Sequence, residues 1–215
     1  MKVQIIKIIA FIVLSIAALV VWINMDDKLP MTEIPEQVQV AASDVLAQIT
    51  LMDQHGSPYT LANLKGKPHV INFIFTRCHS NCTLQEMKIL TSQTKEFGDR
   101  VAFLSISVDP EYDTPEVLLN YTKKTEATDS RWSFVTGKFE NIKSLVIQGF
   151  KSEFIHPLDK ESTHSPDLAV IEIRHSENFV LLDRNARIRL FQTIKDDVSR
   201  QRMIESLRIL INEIE

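Results

Sequence analysis

Cys78 and Cys82 are the only cysteines in a chain of 215 residues, and three residues separate them. Thiols this close can close into a disulfide, exchange disulfides with a partner, or converge as thiolates on one soft metal ion. The spacing is one residue wider than a C-x-x-C redox pair. Two cysteines are too few for a disulfide framework, so a purely structural bridge is the bland alternative. A peroxidatic role is disfavoured, because Phe75 and His79 stand three residues before the two cysteines where a hydroxyl would be wanted.

If a metal is held, a soft Cu(I) ion asks for two thiolates and one imidazole, and Zn(II) for a fourth donor. Six histidines could supply the nitrogen. His55 in a turn, His69 at the start of a strand, and His156 and His164 in a polar loop read as solvated surface residues. His79 lies between the cysteines and can point outward. His175 sits in Arg174-His-Ser176, a polar break between two apolar strands, where it reads as a turn residue or as a distant ligand.

The elements around the cysteines decide what they can do. Val70 to Phe75 is an unbroken apolar run, β-branched and aromatic, which predicts a strand buried on both faces. Thr83 followed by Glu86 is a capping-box pattern, so a helix is expected from about Leu84. The pair therefore falls on a turn between a buried strand and a helix N-terminus, where backbone N–H groups and the helix dipole favour thiolate.

The chain opens with Lys2 and Lys7 and a nearly pure apolar run from Ile8 to Ile23, followed by Asp26 and Asp27. About 20 such residues suffice to cross a bilayer, and the lysines place the N-terminus in the cytoplasm. Residues 1–25 are thus expected to be a transmembrane signal anchor, with a cleaved signal peptide as the competing reading. Residues 26–43, with Pro30, Pro35 and several acids, read as a tether. Residues 44–215 are one domain of about 170 residues, long enough for a proper core. Either N-terminal reading puts that domain outside the cytoplasm, here on the periplasmic side of a bacterial inner membrane, where thiols tend to oxidise.

Within the domain, Val45–Met52 and Tyr59–Leu61 flank the turn cluster Asp53 to Pro58 and predict a hairpin. Leu84–Phe97 has helical spacing and Gly98 stops it. Val101–Val108 is a strand; Thr114-Pro115 opens a helix to about Lys124; Trp132–Val135 is a strand and Glu140–Gly149 a helix. Leu168–Ile173 and Asn178–Leu182 read as paired strands, with Ile188–Phe191 following. The last helix starts near Asp197, with Met203, Leu207, Leu210, Ile211 and Ile214 on its apolar face. This order predicts an α/β, thioredoxin-like domain with an N-terminal β-hairpin extension. The net charge of −4 and the lack of a basic stripe exclude a nucleic-acid binder.

The chain resembles the SCO/SenC family of copper-binding assembly proteins for cytochrome c oxidase. The matching pieces are Leu51-Met-Asp-Gln-His-Gly-Ser-Pro-Tyr-Thr-Leu61, Leu64-Lys-Gly-Lys-Pro68, Phe75-Thr-Arg-Cys78-x-x-x-Cys82, Ser107-Val-Asp-Pro110 with Asp113-Thr-Pro115, and His175-Ser176 ahead of Val180-Leu-Leu-Asp183. The resemblance implies one copper, Cu(I) or Cu(II), held by Cys78, Cys82 and His175. It also implies a metallochaperone serving the binuclear copper site of an oxidase subunit or another copper or thiol client. Its alternative is a thiol–disulfide oxidoreductase with Cys78 and Cys82 as the redox pair. Where the family usually has proline after each cysteine this chain has His79 and Thr83, and Arg174 stands where an acid is common.

Overall fold

The computed structural model describes residues 45–78, 83–150, 152, 154–155, 174–175 and 177–213, with Leu61, 154–155 and 174–175 described by backbone alone. The segments 1–25 and 26–43, His79, Cys82, His156, His164, Leu168–Ile173 and Ile214 lie outside them.

The run that predicts the buried strand forms β3, His69–Ile74, and every residue of it is buried. It lies between β4 (Ala102–Ser107), which runs parallel to it, and β8 (Phe179–Leu182), which runs antiparallel. β5 (Trp132–Thr136) adds in parallel to β4. The hairpin β1 (Leu51–Asp53) and β2 (Pro58–Tyr59) joins β5 edge-on, and β9 (Ile188–Gln192) closes the other side. The sheet order is β2-β1-β5-β4-β3-β8-β9.

Side chains alternate across β3, so Ile71 and Phe73 face one core and Val70, Asn72 and Ile74 the other. The first core gathers Leu51, Leu104, Ile106, Val135, Val180 and Ile188 with Ile142, Leu145 and Val146. The last three come from α3 (Phe139–Ser144) and the π-helical turn Leu145–Gly149 that continues it. Phe150 closes this layer edge-to-face on Phe73, with ring centroids 5.7 Å apart. On the second face, α1 (Leu84–Gln93) and α2 (Pro115–Lys124) meet the sheet, with Tyr121 edge-on to Phe134 at 6.4 Å. The terminal helix α4 (Asp197–Asn212) buries Met203, Ile204, Leu207 and Leu210. Ile211 is only half-buried.

α2 begins as its sequence dictates: Thr114 Oγ1 accepts from Val117 N at 3.3 Å, and Pro115 fills the first turn where no N–H is needed. Other expectations need correction. Residues 45–48 are helical and β1 starts at Leu51, while Leu61 belongs to a 3-10 turn, Leu61–Leu64, instead of β2. α1 ends at Gln93, and a 3-10 segment, Lys95–Arg100, carries the chain past Gly98 at φ 54°. Thr83 makes no cap: its backbone is already α-helical, and its hydroxyl is engaged in the sheet. The pairing expected of residues 168–173 with Asn178–Leu182 lies outside the described residues; β8 itself pairs with β3 and with β9. His175 is not in a turn but in β7 (Arg174–His175), opposite Phe154 of β6 (Phe154–Ile155).

Candidate functional site

β3 and β4 end side by side, and in open parallel sheets the carboxyl ends of adjacent strands are where sites form. Residues 75–78 leave β3 there, and residues 108–113 leave β4. Val108 N donates to Ile74 O at 2.8 Å, the last rung before the two segments part.

Cys78 is half-buried on the first segment, and its N–H donates to Phe75 O at 3.2 Å, closing a tight turn. Cys78 is disulfide-bonded. The chain has one other cysteine, Cys82, which falls outside the described residues. In this oxidised form Cys78 offers no thiolate; a two-electron reduction must precede any metal binding or attack on a partner.

The second segment clamps the first. Asp113 is fully buried and its Oδ2 accepts from Thr76 N at 3.1 Å and Ser107 Oγ at 2.6 Å. Its Oδ1 accepts from the Thr76 hydroxyl. Burial outweighs these bonds and pushes the Asp113 carboxyl above its ordinary pKa. Next to Cys78, Arg77 donates through Nε and Nη2 to Asp109 Oδ2 at 2.9 and 2.6 Å. Its guanidinium also lies 4.4 Å from the centroid of the exposed Tyr112 ring. Arg77 is about one-third exposed, so this ion pair orients the loop more than it stabilises the fold.

Behind the site lies a row of buried polar side chains. Trp132 Nε1 donates to Ser105 Oγ at 2.9 Å, Ser105 Oγ donates to Asn72 Oδ1 at 2.6 Å, and Asn72 Nδ2 donates to Thr83 Oγ1 at 2.9 Å. The Thr83 hydroxyl then donates to Phe73 O at 2.8 Å. Sequence reasoning missed this row and the Asp113 clamp. Asn72 and Ser105, polar residues inside otherwise apolar strands, were the signal for the row.

The histidines separate. His55 is exposed in its turn, as expected. His69 is not solvated: it is 2% exposed, its Nδ1–H donates to Lys67 O at 2.9 Å, and burial pushes its pKa down to about 4. A neutral, enclosed imidazole bonded to a carbonyl is a core residue. Of His175 the structure gives the backbone, in β7. Among the described residues no three His, Cys, Asp or Glu side chains gather as a metal site. Cys82 and the His175 side chain are outside that set, so the donor trio rests on sequence. Its chemistry, two thiolates and an imidazole once the disulfide is reduced, fits a soft copper ion.

The SCO1/SenC family profile matches residues 37–212. The SCO1 protein homolog of Bacillus subtilis is 24% identical over 156 residues, covering 71% of this chain and 76% of its own. The crystal structure of a SCO1/SenC family lipoprotein from Bacillus anthracis superposes with a TM-score of 0.65 at 27% identity, covering 75% of this chain and 92% of that one. Bradyrhizobium japonicum ScoI, solved with copper bound, gives a TM-score of 0.60 at 26% identity over 75% of this chain and 96% of its own.

Proposed function

The chain belongs to the SCO1/SenC family, and from that membership we propose that it binds copper and serves assembly of the binuclear copper site of cytochrome c oxidase. Cys78, Cys82 and His175 are the proposed ligands. The observation that carries the reading is Cys78 on the turn that leaves the buried central strand, within a chain whose family match runs over residues 37–212.

Reduction of the Cys78 disulfide gives two thiols; loss of their protons gives the thiolates a soft cation prefers. Bound copper would supply a soft acid open to ligand exchange, so thiolates of a client can displace those of the donor. The chain's own residues prepare this transfer. Asp113 and Ser107 fix Thr76, Asp109 orients Arg77, and the row from Trp132 to Thr83 fixes the start of α1. The apolar run from Ile8 to Ile23 is the proposed anchor, with residues 26–43 as tether and the domain on the periplasmic side of the inner membrane. Among the described residues no helix is long and apolar enough to span a membrane.

The disulfide at Cys78 favours a second reading, a thiol–disulfide oxidoreductase that reduces client cysteines. Substitution His175→Ala separates the two. The metal reading expects Cu(I) affinity, measured against a chromophoric chelator, to fall by about tenfold or more. Unchanged affinity with altered disulfide exchange would move the assignment to the oxidoreductase.

A further inference from the structure

We propose that the end of the sheet opposite Cys78 is a docking face for anionic phospholipid headgroups, formed by Lys65, Lys67, Arg100, Arg184 and Arg187. The inference rests on the membrane anchor of the reading above, and not on copper or on the cysteines.

Three turns meet at the end where β3 begins. His69 opens β3 and stands in register with Ala102 of β4 and Leu182 of β8. The turn before β3 is tied to the other two by its backbone: Gly66 N donates to Arg184 O at 2.8 Å, and Ala102 N donates to Pro68 O at 3.0 Å. Lys65 and Lys67 therefore share one end of the domain with Arg100, just before β4, and with Arg184 and Arg187 in the turn after β8. Lys65, Arg100 and Arg187 are exposed, and Lys67 and Arg184 are half-buried.

These cations are not consumed by ion pairs. Nearby, Arg189 meets Glu213 and Asp183, and Arg208 meets Glu96 and Glu205. Among the described residues Arg100 and Arg184 reach only carbonyls, of Phe97 at 3.2 Å and Ile211 at 3.5 Å, and none of the five has a carboxylate partner. Asp99 is the exposed acid of these turns. Asp183 is 6% exposed, and its carboxylate is turned to the Asn185 and Arg187 amides. Positive charge is thus in excess here, although the whole chain carries −4. The Cys78 end is the reverse: Asp109, Glu111, Asp113 and Glu116 follow β4, with Arg77 set against them.

The length of chain ahead of the domain selects the occupant. An 18-residue tether, 26–43, has a root-mean-square reach of about 20–25 Å, so an anchored domain meets the bilayer continually. Anionic headgroups complement this basic end and repel the acidic one. Each lysine or arginine brought to such a surface strengthens contact about fivefold, within a screening length of roughly 8 Å. Docking by this end points the other end of β3 outward. Six residues of strand, His69–Ile74, put the Cys78 end about 20 Å farther from the headgroups, facing a client.

The test uses the full-length chain in bilayer discs of phosphatidylglycerol or of phosphatidylcholine. The native disulfide is kept intact, so that one introduced thiol takes a fluorescent dye, at Asn185→Cys on the basic end or at Glu111→Cys on the other. Nitroxide-labelled headgroups report contact by quenching. Quenching at 185 but not at 111 is expected in phosphatidylglycerol, reduced to the phosphatidylcholine level by about 0.5 M salt. Lys65→Glu/Lys67→Glu/Arg187→Glu should abolish it, a loss of about a hundredfold in contact. Lys65→Gln/Lys67→Gln is the milder variant and should weaken it in the same direction even if the triple variant fails to fold. Equal quenching in the two lipids, quenching at 111 as strong as at 185, or quenching that survives both sets of substitutions would overturn the proposal. Discs that fail to retain the chain would overturn the anchor separately. The unlabelled chain is then floated with phosphatidylglycerol vesicles: binding that the substitutions abolish upholds the docking face, and absent or salt-resistant binding overturns it.

Discussion

Asp113 is the clamp whose removal should be felt most. It is fully buried and accepts from the Thr76 amide, the Thr76 hydroxyl and the Ser107 hydroxyl. Substitution Asp113→Ala leaves three buried donors without that acceptor. A net loss of about 1–1.5 kcal/mol for each gives roughly 3–5 kcal/mol of destabilisation. Substitution Asp113→Asn keeps an oxygen for the Thr76 amide and Ser107, and the Thr76 hydroxyl can turn to accept from the new amide. That variant should lose only about 1 kcal/mol. Urea unfolding of wild type and both variants, at one pH with the disulfide intact, measures the three values with a common slope. An alanine variant within about 1 kcal/mol of wild type, or an asparagine variant as unstable as alanine, would refute the assignment of Asp113 as the bolt between the two segments.

Two further predictions concern the frame. His69 is enclosed and its pKa is pushed down to about 4, below the ordinary value near 6.5. The unfolded chain therefore binds the extra proton first, so stability present above about pH 6.5 should be lost as pH falls toward 4, by up to about 3 kcal/mol. His69→Leu should flatten that part of the urea-midpoint profile; an unchanged profile would contradict the burial. Arg131 donates to Thr91 O at 2.7 Å and Thr94 O at 2.9 Å while paired with Asp129, and so satisfies the carbonyls that end α1. Arg131→Met should lower stability by about 2 kcal/mol, with amide exchange rising first in the last turn of α1. Uniform exchange along the helix would refute the capping role.

The sequence carried the frame because burial writes itself in periodicity. The run Val70 to Phe75 reads as a doubly covered strand and Thr114-Pro115 as the start of a helix, and β3 and α2 form there. What it hid depends on neighbours brought from far along the chain. The Thr83/Glu86 spacing is a good capping pattern, yet Thr83 Oγ1 is claimed by Asn72 and by Phe73 O, contacts no local window contains. His69 looks the same in sequence whether solvated or enclosed; Ala102 and Leu182, its partners in the flanking strands, decide the matter. β8 takes its neighbours β3 and β9 from other parts of the chain in the same way. Cys78 was legible as chemistry from its spacing, whereas the clamp behind it was visible only as family pieces, Ser107-Val-Asp-Pro110 and Asp113-Thr-Pro115, without a role. Thr76, two residues before Cys78, gives Asp113 its purpose.

The central claim is copper held by the reduced cysteines, and copper stoichiometry tests it most directly. The full-length chain, reduced and loaded with Cu(I) under anaerobic conditions, is compared after desalting with Cys78→Ser/Cys82→Ser prepared in the same way. One copper retained per wild-type chain and none by the control is the predicted result. A reduced wild type that retains no copper, or a control that retains as much, would contradict the account.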